Sequence, residues 1–122
     1  MYIFYSEESE PMLLDSVDGL SAIRTELLVY LSSNAQSVEF RANTDSDPQP
    51  YDRLLNGFRV TRASGVSELF IDNDSWLSII ADDDKILDLV ECMFIVEDCS
   101  HNHWRSISSS LIIEADNWRA SQ

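Results

Sequence analysis

The chain has 122 residues, 44% hydrophobic and 10% aromatic, and 22 acidic against 8 basic side chains give it a formal net charge of -14. Those apolar fractions supply the core of one globular domain, residues 1–122, whereas a disordered acidic segment would be poor in both. The charge excludes a nucleic-acid or anionic-membrane surface, since phosphate binding needs Lys and Arg, and no stretch approaches the roughly 20 apolar residues of a membrane span.

Met1 to Tyr5 is too short an apolar run for a secretory signal and leads straight into Glu7, Glu8 and Glu10. Cys92 and Cys99 carry no disulfide signature, so a reduced, cytoplasmic protein is expected. Asp15 to Ser33 reads as the first helix, with Ser16 or Asp18 as N-cap and Leu20, Ile23, Leu27 and Leu31 as its apolar stripe. Val38, Phe40 and Ala42 alternate with polar residues as a strand. Asn43 to Asn56 is a long surface loop whose Tyr51, Leu54 and Leu55 fasten its end to the body.

Phe58, Val60 and Thr61 form the next strand, and Ser64-Gly65 turns it into Ser67 to Asp72. The following hairpin is expected to use a three-residue connection, Asn73-Asp74-Ser75, because only that register puts Leu69, Ile71, Leu77 and Ile79 on one face. Phe70, Trp76 and Ser78 then share the opposite face with Arg41, Arg59 and Thr61. Asp82 or Asp83 caps a second helix running to about Val96, with Ile86, Val90 and Met93 inward and Asp84, Asp88 and Glu91 in one polar stripe. A linker holds His101 and His103, and Leu111, Ile113 and Ala115 alternate in a last strand. Strand, helix, four-strand meander, helix and strand predict an α+β two-layer sandwich: a mostly antiparallel sheet of about five to six strands with two helices on one face. No internal repeat is visible.

The acidic charge is concentrated: Asp72, Asp74, Asp82, Asp83, Asp84, Asp88, Glu91, Glu97 and Asp98 are opposed only by Lys85. Such a cluster attracts a cationic partner, and Trp76 with Phe70 is the expected apolar anchor of the contact. His101-Asn102-His103, with Glu97, Asp98 and Cys99 nearby, falls short of a metal set, which needs three or four ligands at more definite spacing. Asp72-Asn73-Asp74 opens like a calcium loop, but Leu77 stands at the turn glycine's position and Asp83 where the bidentate glutamate belongs. No nucleophile motif or phosphate loop is present. No catalytic residue, metal or cofactor is expected.

The strand Trp76 to Ile80, the apolar helix with Leu87, Leu89 and Val90, the His101-Asn102-His103 segment and the strand Ser109 to Glu114 make a sequence of parts. With Gly19-Leu20 and Leu27-Leu28 in the first helix, this plan resembles bacterial immunity proteins of the polymorphic-toxin and contact-dependent growth inhibition type. The resemblance implies a small cytosolic antitoxin that occupies one cognate toxin domain, and carries no catalytic residues over. Acidity points to a nuclease toxin whose basic active-site cleft is occluded. The rival readings are an acidic nucleic-acid mimic acting on a DNA-binding protein, and a small metal-dependent enzyme using His101 and His103.

Overall fold

In the computed structural model, which describes residues 1–122, a hairpin of β1 (Tyr2–Ser6) and β2 (Ser9–Asp15) leads into α1 (Val17–Leu31). The chain continues through β3 (Ser37–Arg41), the two-residue β4 (Arg53–Leu54) and β5 (Gly57–Arg62). A second hairpin, β6 (Ser67–Ile71) with β7 (Trp76–Ala81), leads into α2 (Asp83–Cys92), β8 (Ser100–Arg105), β9 (Ser110–Ala115) and the short α3 (Asn117–Ala120). The fold is α+β. Its strands form two mixed sheets, one ordered β4-β1-β2-β9-β8 and the other β3-β5-β7-β6.

The topology holds a repeat that the side chains do not advertise. Apart from β4, each half of the chain runs hairpin, helix, antiparallel pair: β1-β2-α1-β3-β5 and then β6-β7-α2-β8-β9. Each sheet combines the hairpin of one half with the pair of the other. The joins are parallel seams, β2 beside β9 and β7 beside β5. Equivalent backbone bonds close the two seams: the Asp116 amide donates to the Asp15 carbonyl and the Ala63 amide to the Ala81 carbonyl, both at 3.0 Å.

Three expectations are corrected by this arrangement. There are two sheets and nine strands instead of one sheet of five or six, there is an internal structural repeat, and the meander is broken because β7 lies between β5 and β6. Alternation of apolar residues fixes which face of a strand is buried. It does not say which sheet the strand joins, and here each long helix carries the chain from one sheet to the other. Antiparallel pairing still dominates, as expected, and β6 pairs β7 in the predicted register, Leu69 opposite Ile79 and Ile71 opposite Leu77.

One continuous core holds Ile3, Leu13, Leu111 and Ile113 from the first sheet, Phe58, Val60, Leu77 and Ile79 from the second, and the apolar faces of α1 and α2. The outer face of the five-stranded sheet has its own cluster, Tyr2, Phe4, Met12 and Leu14, roofed by Tyr51, Leu54 and Ala120. The long loop is thereby fastened as predicted. α3 lies on this outer side, with the Arg119 guanidinium 4.6 Å from the centre of the Phe4 ring.

Ser16 caps α1, its Oγ accepting from the Gly19 amide at 2.9 Å, and Asp82 caps α2, its Oδ1 accepting from the Lys85 amide at 3.0 Å. α2 stops at Cys92, short of the predicted Val96. From Met93 to Val96 burial alternates, Met93 and Ile95 inward and Phe94 and Val96 outward, a period of two that a helix cannot satisfy. At the other end of the core, α1 has no basic residue in its last turn. Arg62 supplies the donors from the end of β5: Nη1 bonds the Ser33 carbonyl at 2.8 Å, and Nη2 bonds those of Tyr30, at 3.1 Å, and Leu31. Its Nε lies 3.2 Å from Asp83 Oδ1, so one guanidinium joins the end of α1 to the start of α2.

Arg62→Met should therefore cost about 2–3 kcal/mol in urea unfolding, because several carbonyls lose a charged donor at once. Arg62→Lys should recover only part of this, since a point charge cannot fork to two turns. Asp83→Ala should cost less than about 1 kcal/mol, its carboxylate being 67% exposed.

Candidate interaction site: the carboxylate face of α2

Ile86, Leu89 and Val90 bury one face of α2, and the same helical spacing sends Asp84, Asp88 and Glu91 to water on the other. Asp83 and Asp84 sit in the first turn, where the positive end of the helix dipole favours them. Lys85 is the one basic residue of α2 and is drawn away from this face. Its Nζ donates to the Arg105 carbonyl at 2.7 Å and lies over the Trp104 ring, leaving 3.9 Å to Asp88 Oδ2. The charges of Asp84 and Glu91 have no ion-pair partner in the protein.

Two open depressions border this helix. Asp82, Asp83 and Asp84 line one of about 680 Å³ with Gln36, Arg62 and Ser64. Asp88 and Glu91 line another of about 400 Å³ with Lys85, Asn102 and His103. Both are broad and polar, unlike the enclosed apolar pockets that small ligands fill.

The remaining predicted site residues divide into exposed charges and structural braces. Asp74 and Glu97 are exposed on loops. Asp72 is a brace, with Oδ1 accepting from the amides of Asp74 at 2.9 Å and Trp76 at 3.1 Å while Oδ2 pairs with Arg59 at 3.2 Å. Its bonds hold the three-residue hairpin loop, in which Ser75 takes the left-handed conformation at φ 63°. Asp82 is the cap of α2. Asp98 accepts from the Asn117 amide at 2.7 Å and so steadies the start of α3.

Trp76 lies on the predicted face, but only 8% of it is exposed. Its ring rests on Gly57, where a Cβ would come within 2.5 Å of the indole Cζ3, and the guanidiniums of Arg59 and Arg41 lie 5.2 and 5.7 Å from its centre. Arg59 is held charged chiefly by its bond to Glu39 at 2.9 Å, with Asp72 adding to the effect. The ring is therefore the floor of an arginine-covered patch and unavailable as an anchor. Phe70 beside it is 43% exposed. Strand alternation gave the face correctly and could not reveal that two neighbouring arginines fold over the indole.

His101 and His103 lie in β8, not in a linker. Their rings sit 5.2 Å apart on the exposed side, and His103 Nδ1 is 3.5 Å from Glu10 Oε2, a carboxylate from the opposite end of the chain. Only Trp104 is buried in β8, so its sequence carries no alternating apolar signal. Asp98, Cys99 and Asp116 bring potential ligand atoms within 4.8 Å of one another. Both carboxylates already accept amide hydrogens, and the charge of Asp98, ahead of burial and Asp116, raises the Cys99 thiol pKa. Cys92 is also raised, by burial first and then by Asp88, and its Sγ donates to the His103 carbonyl at 3.4 Å.

Comparison of the chain with known protein families, characterised proteins and solved structures gives no match. No helix is long and apolar enough to cross a membrane. Trp76→Ala should destabilise the fold by about 3–5 kcal/mol, the cost of emptying a buried tryptophan site, and a chemical denaturation curve will show it as a lower midpoint. A variant of unchanged stability would mean that the indole is not packed as described.

Proposed function

We propose that the protein is an immunity protein, which binds the toxic domain of a cognate effector in the cytoplasm and neutralises it by covering a basic active-site cleft. The supporting observation is the α2 face, where Asp84, Asp88 and Glu91 stand exposed on a helix whose opposite side is locked into the core. A cleft that attracts phosphates also attracts such a surface, and a rigid carboxylate array meets it without the entropy cost of ordering a loop. A nuclease is accordingly the toxin class favoured.

The nucleic-acid mimic calls for carboxylates spread at phosphate-like intervals along an extended surface. The exposed carboxylates of α2, Asp83, Asp84, Asp88 and Glu91, form a short array on one ten-residue helix, which supports that reading less. An enzyme using His101 and His103 finds less support: Glu10 lies beside His103 alone, all three side chains are exposed, and they do not gather as a set of metal ligands.

The double variant Asp84→Lys, Asp88→Lys should weaken binding of the cognate effector's toxin domain at least about tenfold, or about 1.4 kcal/mol, while each change moves stability by no more than about 0.5 kcal/mol. Association of the unaltered protein should slow markedly as salt rises, because exposed charges act on encounter and are screened within about 8 Å at physiological ionic strength. Titration calorimetry and stopped-flow mixing read the two effects. Unchanged affinity in the double variant, together with salt-independent association, would assign the carboxylates to solubility alone.

A further inference from the structure

We propose that β6 is a strand-addition site, whose free edge takes an extended cationic segment of another protein. The proposal shares no residue with the carboxylate face of α2 and does not rest on it. Bonds at both ends of β6 fix which groups face outward: the Asp82 amide donates to the Val66 carbonyl at 3.1 Å and the Asp72 amide to the Trp76 carbonyl at 3.0 Å. Even-numbered residues therefore bond to β7, and Ser67, Leu69 and Ile71 turn their backbone groups away from it. The Ser67 carbonyl accepts from the Ile107 amide at 3.2 Å, while the amides and carbonyls of Leu69 and Ile71 have no partner in the protein.

The other three sheet edges are protected in ways that β6 is not. β4 is two residues long. Along β8 the outward carbonyls of His103 and Arg105 accept from Cys92 Sγ and Lys85 Nζ of α2. β3 turns Ser37, Glu39 and Arg41 outward, and charged residues on an edge discourage pairing. β6 has no Lys, Pro or bulge, and its one charged residue, Glu68, turns its backbone groups toward β7.

That edge is also the floor of a groove. Two depressions of about 410 and 220 Å³ share Leu69 and Phe70 and so run together along β6, walled by Ile107 at one end and by Tyr5 and Pro11 of the first hairpin at the other. Within it the Ser67 hydroxyl is buried without a hydrogen-bond partner. Glu68 and Glu7 are the charged residues of the lining, which contains no Lys, Arg or His. An added strand of about five residues would place Lys or Arg beside Glu68 and Phe70 on the outer side and apolar residues beside Leu69 and Ile71, main-chain bonds giving affinity and alternate side chains specificity. Charge selects a cationic segment over a second copy of this chain, because each copy carries -14.

A capped seven-residue peptide alternating Lys with Val is the probe, compared with a twin N-methylated at alternate amides and therefore equal in charge. In amide-exchange NMR, the first should protect the Leu69 and Ile71 amides at least tenfold and the twin should not. Ile71→Pro should abolish that protection while β6 stays paired, since the Ile71 amide faces the open edge, and Ile71→Val should keep it. Equal binding of the methylated twin, protection centred on β3 or α2, absence of protection at Leu69 and Ile71, or self-association of the protein through β6 would each overturn the proposal.

Discussion

Because the last turn of α1 contains no basic residue, the carbonyls of Tyr30, Leu31 and Ser33 take their donors from Arg62, at the end of a strand in the four-stranded sheet. The same guanidinium faces Asp83 in the first turn of α2 and lies 4.7 Å from the centre of the Tyr30 ring. Burial raises the Tyr30 pKa, the hydroxyl donating to the Gln36 carbonyl at 2.7 Å. Arg62 thus closes the place where the first half of the chain ends and the second helix begins. Without it, two helix termini, β5 and the Gln36 turn would lose a common partner in a region already short of positive charge.

The exchange of hairpins between sheets has a mechanical consequence. Neither sheet consists of one half of the chain, so neither half can detach without breaking a parallel seam, and the core that seats α2 is the core that seats α1. α2 is consequently held from both halves. A helix so anchored can display Asp84, Asp88 and Glu91 at fixed spacing, while Arg62, Arg59 and Lys85 are committed to carbonyls, to Trp76 and to structural carboxylates instead of neutralising the acidic surface. Most of the few cations serve the fold, and the excess negative charge remains on display.

Much of this was legible in the residues. The Asn73-Asp74-Ser75 connection and its register followed from keeping Leu69, Ile71, Leu77 and Ile79 together, and residue type and position narrowed each cap to two candidates, of which Ser16 and Asp82 are the ones that cap. What failed was long-range. The first hairpin and β8 went unrecognised because Glu7 to Glu10 and Ser100 to His103 lack apolar alternation, and the parallel seams leave no local trace. For the same reason, sequence neighbours suggested Cys99 and Asp98 as partners of the histidines where the fold supplies Glu10. Of the site, the exposed stripe of α2 was readable from helical period. The bracing roles of Asp72 and Asp98 and the covered state of Trp76 depend on partners 2 to 19 residues away or across the sheet, which spacing alone does not identify.

Native-state hydrogen exchange tests most directly whether α2 is a rigid, doubly anchored platform. If it is, the amides of Leu89 and Val90 should exchange only through the same global opening as those of Leu13 in β2, Val60 in β5 and Ile113 in β9, with one common opening free energy that falls in parallel with added denaturant. Exchange of α2 through a separate, low-energy local opening, or two groups of amides divided between the halves of the chain, would contradict the interlocked arrangement and the fixed carboxylate face built on it.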